Sequence, residues 1–427
     1  MVTQRKVRSN MMNSEQTLQA IESLSWQDKI SRQIMLKIFA SLPEGEMVIK
    51  ENGVLVDVFG EKGSDLHAEI NFIDLRAYRH LLFGGSIASG ETYTDGMWTT
   101  PNLTNVIRIF ARNLPMLDRW ESKMEWLALP LRKLSHLARR NSASQAKKNI
   151  AEHYDLGNKL YTRFLDETMM YSSAIYPHQD ADLHQAQQHK LKTICEKLQL
   201  SASDHLLEIG TGWGGLAVYA AKHYGCKVTT TTISEEQYRF AEQWVAKENL
   251  QDKITLLKKD YRLLDGQYDK LVSIEMIEAV GKEYLPTFFE QCSKRLKKDG
   301  VMLLQAITIS DQRLNSYAKS VDFIQKHIFP GGFLPSQLLI NQHLKKHTDM
   351  MIRDLHDIGL DYAKTLQHWH QAFNNNIDAL AKDGYDERFS NMWRYYFSYC
   401  EGGFLERTIS TVQLVLSKPA YSAPLSR

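Results

Sequence analysis

The sequence LLEIGTGWGGLAVYAAKHYG, residues 206–225, carries the clearest structural signal in this 427-residue chain. A short apolar run leads into Gly210, Gly212, Gly214 and Gly215, and apolar residues at helical spacing follow them. Glycines at such a place let the backbone turn tightly and approach a ligand, at the carboxyl end of the first strand of a doubly wound sheet. The stretch therefore predicts a strand, a ligand-binding turn and a helix in succession.

Short apolar runs alternate with helical segments on both sides of this stretch. The strand-like runs are HLLEIG (205–210), KVTTTTI (227–233), KITLLK (253–258), YDKLVSI (268–274), VMLLQAITI (301–309) and TISTVQLVLS (408–417). Such alternation is typical of an α/β fold, in which helices cover a mostly parallel sheet.

The N-terminal third has a different pattern. Residues 47–60 predict a β-hairpin around Asn52-Gly53, residues 66–75 predict a further strand, and helical spacing begins at Leu103. The predicted organisation is an α+β domain over residues 1–140, a linker NSASQAKKN over 141–149, and an α/β domain over 150–427.

Charge is nearly balanced over the whole chain, with 52 Lys and Arg against 50 Asp and Glu, so it gives no reason to expect a nucleic-acid partner. Residues 103–150 are the exception, because they hold ten basic and three acidic residues. A basic amphipathic stretch bearing Trp120 and Trp126 suits the surface of an anionic bilayer. The alternative is the solvated outer face of helices packed on a core.

The N-terminus lacks the apolar core of a signal peptide, and no stretch approaches the ~18 apolar residues of a membrane span. Four widely spaced cysteines form no CxxC pair, which favours neither a disulfide framework nor a zinc site. We therefore expect a cytoplasmic protein without a metal, bound peripherally to the inner face of the membrane.

The glycine spacing fits two cofactors. Gly210, Gly212 and Gly215 complete the GxGxxG pattern of a dinucleotide site, whereas Glu208 and the GxGxG spacing favour S-adenosylmethionine (SAM). The acidic residue that binds the ribose of NAD about 20 residues further on is missing, and residues 229–232 are threonines. SAM is the expected cofactor, and a dinucleotide-dependent oxidoreductase is the weaker alternative.

Longer motifs add a family resemblance. Residues 149–176, 206–237, 260–281 and 328–336 resemble the cyclopropane-fatty-acyl-phospholipid synthase family, and the likeness extends from GGSIASGETYTDGMW (84–98) to about residue 417. It implies a Rossmann-like SAM-dependent methyltransferase domain with a mostly parallel, seven-stranded sheet. It also implies a lipid-facing N-terminal domain and a homodimer.

The resemblance assigns SAM-binding roles by position. It places Gly210 and Gly212 at the methionine moiety, Thr232 and Gln237 near the ribose, Tyr261 and Arg262 near the adenine, and Tyr171 and Ser172 over the cofactor.

Family members also hold a bicarbonate ion, which takes a proton from the substrate. The matching positions are Ser173, Glu278, Gln305, Ile307 and Tyr362. The family's usual cysteine and histidine are replaced by Ser173 and Gln305, and its glutamate-histidine pair ends in Ala279. Neither serine nor glutamine can become cationic, so electrostatic support for an anion is weaker and ring closure is the step most affected.

The implied reaction adds a methylene group from SAM to the cis double bond of acyl chains in membrane phospholipids, giving a cyclopropane through a carbocation. The alternative within this chemistry is a methyl- or methylene-branched chain. An alternative from another class is a lipid-binding protein with a decayed site. The cation requires a dry site with aromatic faces. We expect most of the aromatic residues in the C-terminal half to be core residues and a minority of them to line an acyl tunnel. The candidates are Phe323, Phe329, Phe333, Trp369, Phe373, Trp393, Tyr395, Tyr396, Phe397 and Phe404.

Overall fold

The computed structural model describes residues 21–120 and 157–423. The helices are α1 Trp26–Ala40, α2 Ala77–Thr94, α3 Leu103–Arg112, α4 Asn158–Tyr161, α5 Leu183–Lys197, α6 Gly215–Tyr224, α7 Glu235–Lys247, α8 Ile277–Val280, α9 Leu285–Arg295, α10 Leu314–Tyr317, α11 Phe323–His327, α12 Gln337–His347, α13 Gly359–Asn375, α14 Ile377–Lys382 and α15 Glu387–Leu405. The strands are β1 Glu46–Glu51, β2 Val54–Gly60, β3 His67–Phe72, β4 Trp98–Thr99, β5 His205–Ile209, β6 Lys227–Thr231, β7 Ile254–Leu257, β8 Tyr268–Ile274, β9 Leu296–Ile309, β10 Met351–Asp357 and β11 Ile409–Ser417.

The C-terminal sheet has seven strands in the order β10-β11-β9-β8-β5-β6-β7. Strands β9, β8, β5, β6 and β7 run parallel to one another, and β11 pairs antiparallel with β9 and β10. This confirms the predicted Rossmann-like α/β fold. The sequence analysis missed β10, because its side chains are mostly exposed and show no apolar alternation.

Both faces of this sheet are buried. Leu207 and Leu271 point into one apolar layer, whereas their neighbours Leu206 and Val272 point into the other. Burial on both faces explains why these strands read as continuous apolar runs. Truncating one such leucine to alanine costs about 2–5 kcal/mol.

The N-terminal sheet has the order β2-β1-β3-β4. Strands β1 and β2 form the predicted hairpin, and Asn52 and Gly53 take positive φ angles of 48° and 81°, as a tight hairpin turn requires. Helix α3 begins at Leu103, as predicted, because Asn102 caps it by accepting a hydrogen bond from the Asn105 N–H at 3.0 Å.

The chain divides into two compact units, which are residues 1–137 with 377–406, and residues 138–376 with 407–427. Helices α14 and α15 therefore belong with the N-terminal residues, although the sequence analysis placed them in the C-terminal domain. Glu406, just after α15, binds Arg108 on α3 at 2.6 Å. Helical periodicity does not say which core a helix joins, so the sequence contained no signal for this arrangement.

Part of the basic segment and the predicted linker, residues 121–150, lie outside the described residues. In the ranges that are described, no helix is both long and apolar enough to cross a bilayer.

Candidate active site

The glycine loop follows β5 directly. Gly210 donates its N–H to the Thr231 carbonyl at 3.2 Å, and Gly210, Gly212 and Gly214 have φ angles of 101°, 53° and 100°. A Cβ at position 210 would lie 3.2 Å from Met276. Glycine is needed here because side chains disfavour these backbone angles and would crowd the turn.

Glu208, at the end of β5, anchors the loop from below. Its carboxylate accepts a hydrogen bond from the Thr230 hydroxyl at 2.5 Å, and that hydroxyl lies 2.7 Å from the hydroxyl of Thr211. Burial raises the pKa of Glu208 to about 8, against the lowering effect of the Thr230 hydrogen bond. The motif carboxyl is therefore mainly protonated at neutral pH.

A pocket opens beyond the loop, at the carboxyl ends of the parallel strands. It encloses a cavity of about 170 Å³. Every residue to which the resemblance gives a SAM-binding role lines it, namely Tyr171, Ser172, Gly210, Gly212, Thr232, Gln237, Tyr261 and Arg262. The structure thus brings this predicted set together, and the contact of each residue with SAM stays a prediction.

Polar groups line the pocket on the β6 and β7 side. The Thr232 hydroxyl donates to Gln237 Oε1 at 2.9 Å. Arg262 donates to both carboxylate oxygens of Asp260, at 2.9 and 2.6 Å. Burial alone would raise the pKa of Asp260, but the Arg262 hydrogen bonds lower it below its ordinary value. The sequence analysis missed Asp260, although its position just beyond β7 is a signal for a ligand-facing carboxylate. We call the pocket-lining residues Gly210, Gly212, Thr232, Gln237 and Asp260 the cofactor cradle.

Aromatic rings surround Tyr171. Its ring centroid lies 5.3 Å from that of Trp369, 5.2 Å from Tyr161 and 6.3 Å from Phe329. Trp369 also meets Tyr362 edge to face at 6.0 Å. Tyr171 lines the pocket, and the other rings pack around it. We call this group the aromatic wall, and its role beside a carbocation stays a prediction.

Two of the ten predicted aromatic candidates, Phe329 and Trp369, are among these rings. Those in α15 are buried in the N-terminal unit, in keeping with the expectation that most of the ten are core residues; they are Trp393, Tyr395, Tyr396, Phe397 and Phe404.

Glu275, which the sequence analysis did not single out, lines the same pocket just after β8. Its Oε1 accepts hydrogen bonds from the Ser173 N–H at 3.0 Å and from Gln305 Nε2 at 2.8 Å. Its Oε2 accepts one from the Tyr362 hydroxyl at 2.8 Å. Gln413 donates to Gln305 Oε1 at 3.0 Å, which turns the amide nitrogen of Gln305 toward Glu275.

Glu278 lies three residues further along the chain, and its carboxyl group has fewer hydrogen-bond partners than that of Glu275. It accepts a hydrogen bond from the Ile307 N–H at 2.6 Å, and its buried Oε2 has no hydrogen-bond partner in the described part of the chain. Burial and the neighbouring Glu275 raise the pKa of Glu278 to about 8. Glu278 is therefore the carboxyl that stays protonated near neutral pH.

Lys190 places a cation close to this pair. Its side chain is fully buried on α5, and Nζ donates to the Ser172 hydroxyl at 2.8 Å. Burial lowers the pKa of Lys190 to about 7, opposed by the charges of Glu275 and Asp166. Burial likewise raises the pKa of Glu275, opposed by its hydrogen bonds and by Lys190. We call Glu275, Glu278, their hydrogen-bond donors and Lys190 the carboxylate centre.

The expected bicarbonate ion does not fit this donor set. Ser173, Gln305 and Tyr362 all donate to Glu275, and Ile307 donates to Glu278. The structure therefore gathers the five predicted catalytic residues, but around two carboxyl groups of the chain itself. Sequence reasoning missed this arrangement because the partners lie up to about a hundred residues apart.

Comparisons with known proteins identify the family of the chain. The family model described as mycolic acid cyclopropane synthetase matches residues 141–414. The chain is 39% identical over 348 residues to the cyclopropane-fatty-acyl-phospholipid synthase of Escherichia coli (strain K12), covering 80% of this chain and 85% of that protein. It is 37% identical over 339 residues to the tuberculostearic acid methyltransferase of Mycobacterium tuberculosis, covering 78% and 79%.

A solved structure of a mycolic acid cyclopropane synthase, complexed with SAH and CTAB, superposes with a TM-score of 0.60. The sequences are 29% identical, and the match covers 64% of this chain and 98% of that one.

Proposed function

Because the chain belongs to the mycolic acid cyclopropane synthetase family, we propose that it adds a methylene group to the cis double bond of unsaturated acyl chains in membrane phospholipids, forming a cyclopropane. Family membership makes the chain a SAM-dependent methyltransferase that acts on lipid acyl chains. The observation that carries the finer proposal is the pocket itself. One wall is the cofactor cradle, and another is the carboxylate of Glu275.

The residues of the cradle fit SAM. The sulfonium of SAM, when bound, supplies an electrophilic methyl carbon. The glycine loop lets backbone groups approach a ligand, and Thr232 and Gln237 offer hydroxyl and amide groups to a ribose. Asp260 and Arg262 offer an acceptor and donors on the side assigned to the adenine.

The aromatic wall supports alkylation of an alkene. An isolated double bond is a weak nucleophile, so positioning supplies most of the rate. We expect Tyr171, which lines the pocket, to exclude water from a developing carbocation and to face it with an electron-rich ring, with Tyr161 and Trp369 packed against that ring.

A branched product is the second candidate. Ser173 and Gln305 replace residues that the family uses at the deprotonation step, and one of the similar proteins is a tuberculostearic acid methyltransferase. If the proton leaves the transferred carbon and the electron pair closes a ring, the product is a cyclopropane. A methyl- or methylene-branched chain forms when the pair instead makes a double bond.

Isotope labelling tests both candidates. Cells that express the protein are fed methionine with a deuterated methyl group, and their lipids are analysed by mass spectrometry. A cyclopropane and a methylene branch each retain two of the three deuterium atoms. Ozonolysis distinguishes these two products, because it cleaves the double bond of the methylene branch. A methyl branch formed by loss of a chain proton retains all three. Absence of labelled lipid, with SAM bound by the purified protein, would contradict the proposal.

We also propose that the protein acts as a homodimer at the surface of an anionic membrane. The basic residues of 103–150 support the membrane proposal, although Arg108 and Arg112 are already paired with Glu406, and the dimer rests on the family resemblance alone. Charge reversal at Arg132, Lys133, Arg139 and Arg140 should therefore weaken binding to anionic vesicles and leave binding to neutral vesicles unchanged. Unchanged binding to anionic vesicles at low salt would contradict the membrane proposal, and a monomeric mass by light scattering would contradict the dimer.

A further inference from the structure

We propose that the Glu275 carboxylate is the base that removes the proton from the alkylated acyl chain, in the place where related enzymes use bicarbonate. The inference rests on the proposed function, because it assigns one step of that reaction. It makes the chain independent of an added anion.

The hydrogen bonds that Glu275 accepts support this assignment. The donors that the resemblance assigns to bicarbonate at Ser173, Gln305 and Tyr362 all end on the two oxygens of Glu275, at 2.8–3.0 Å. A carboxylate and a bicarbonate ion present similar pairs of acceptor oxygens. Glu275 thus satisfies the donors that an anion would otherwise satisfy, and it does so from a residue that lines the cofactor pocket.

The backbone supplies an independent argument. Glu275 has a φ angle of +48°, in the left-handed region that a long side chain rarely adopts. Its N–H donates to the Gln305 carbonyl at 2.8 Å, which holds it there. Strained residues of this kind cluster at functional sites, where the surrounding structure fixes them. Glu275 is at the same time a lining residue of the cofactor pocket.

The neighbouring charges decide which carboxyl acts as the base. Burial raises the pKa of Glu275, but three hydrogen-bond donors and the charge of the nearby Lys190 oppose that rise and favour its ionised form. Glu278 has one donor and a buried oxygen without a hydrogen-bond partner in the described residues, which favours its protonated form. When two adjacent carboxyl groups differ in their hydrogen bonds and neighbouring charges, their pKa values move apart. One group is then ionised and can act as a base, while the other stays a neutral acid.

The step balances without another reactant. One C–H bond of the alkylated chain breaks, and its proton bonds to a Glu275 carboxylate oxygen. The electron pair moves to the cationic carbon, where it closes the cyclopropane ring or forms a double bond. Glu275 becomes a neutral carboxylic acid, which returns its proton to solvent between turnovers.

The test compares the wild-type protein with Glu275→Gly in buffer depleted of bicarbonate, using phospholipid vesicles and methyl-labelled SAM. Glycine suits the φ angle of +48°, so this variant keeps the backbone and opens the anion position. Glu242→Gln, an exposed carboxylate on α7, is the control that keeps wild-type turnover.

We expect wild-type turnover to be unchanged by bicarbonate depletion. Glu275→Gly should lose at least about 100-fold in the depleted buffer, and added bicarbonate or formate should restore part of the rate. The proposal is overturned if the wild type loses turnover on depletion, or if Glu275→Gly stays within about tenfold of wild type without an added anion. A wild type that labels no lipid under any condition would instead refute the proposed function.

Discussion

The cofactor cradle and the carboxylate centre share one pocket but are built in different ways. The cradle comes from the turns that follow β5, β6 and β7, and glycines, hydroxyls and one ion pair dominate it. The carboxylate centre joins residues from five separate segments around two carboxyl groups and a buried lysine. If the proposed function and the role of Glu275 hold, we expect the cradle to set the affinity for SAM and the carboxylate centre to set the rate and pH dependence of the chemical step.

The largest effect is expected from Lys190→Met, which removes the buried cation and keeps an apolar stem. Without that charge the pKa of Glu275 rises further, so the ionised base is present only at higher pH. Turnover at neutral pH should fall about 100-fold, and the acid limb of the rate profile should move to higher pH. Lys192→Met, an exposed lysine on the same helix, is the matched control. An unshifted pH profile in Lys190→Met would show that the charge of Lys190 does not influence the pKa of Glu275.

Glu278→Gln tests the protonated carboxyl through stability. The folded-state pKa of Glu278 is about 8, above the ordinary value of 4.5, so the folded protein binds more protons between these values. The free energy of unfolding therefore falls as pH rises through this window. Between pH 6 and 8, the free energy of unfolding should fall by about 2 kcal/mol less in Glu278→Gln than in the wild type, as measured by urea denaturation.

Glu235→Gln is the control for this measurement. Hydrogen bonds from Lys258 and Arg239 lower the pKa of the exposed Glu235, which stays ionised throughout the window. Glu208 also has a pKa of about 8 and contributes a loss of the same sign, so the slope should be reduced in Glu278→Gln rather than abolished. A slope identical to that of the wild type would show that Glu278 is ionised when folded.

Tyr362→Phe removes one of the three donors to Glu275 without opening a cavity. The loss of a hydrogen bond to a charged group should lower turnover about tenfold. Because Tyr362 does not line the cradle, the dissociation constant of SAM should be unchanged when measured by calorimetry. Equal losses in SAM affinity and turnover would mean that the two regions are not separable.

Thr232→Val should have the smallest effect, confined to the cradle. It removes a hydroxyl that donates to Gln237 at 2.9 Å and accepts from the Ser234 N–H at 3.1 Å, and it keeps the side-chain shape. SAM affinity should fall about fivefold, corresponding to one hydrogen bond of about 1 kcal/mol, with turnover at saturating SAM unchanged. Thr255→Val on neighbouring β7, outside the pocket lining, provides the comparison. A loss of turnover at saturating SAM would contradict the division of roles.

The sequence predicted the glycine loop of the cradle because its determinants are local, whereas Thr232 and Gln237 came from the family resemblance and Asp260 was missed. The glycines at 210 and 212 follow an apolar strand, and their spacing alone indicates a ligand-binding turn. The same reasoning predicted the sheet, except for β10, whose exposed residues give no apolar pattern. Local patterns failed for α15, since an amphipathic helix does not reveal the core that it joins.

The sequence predicted only some of the residues of the carboxylate centre. The resemblance identified Ser173, Gln305 and Tyr362, but it assigned them a bound anion. Their actual partner is Glu275, and that hydrogen-bond network depends on tertiary structure. A non-glycine residue with positive φ directly after β8 was the missing signal, and backbone angles are not readable from a sequence.

One measurement tests the division between the two regions most directly. SAM binding by calorimetry and single-turnover lipid labelling are performed on the same preparation of Glu275→Gln, which preserves the size of the side chain and removes its charge. The account predicts a SAM dissociation constant within about twofold of wild type and a rate at least about 100-fold lower. A rate close to that of wild type, or a loss explained entirely by weaker SAM binding, would contradict it.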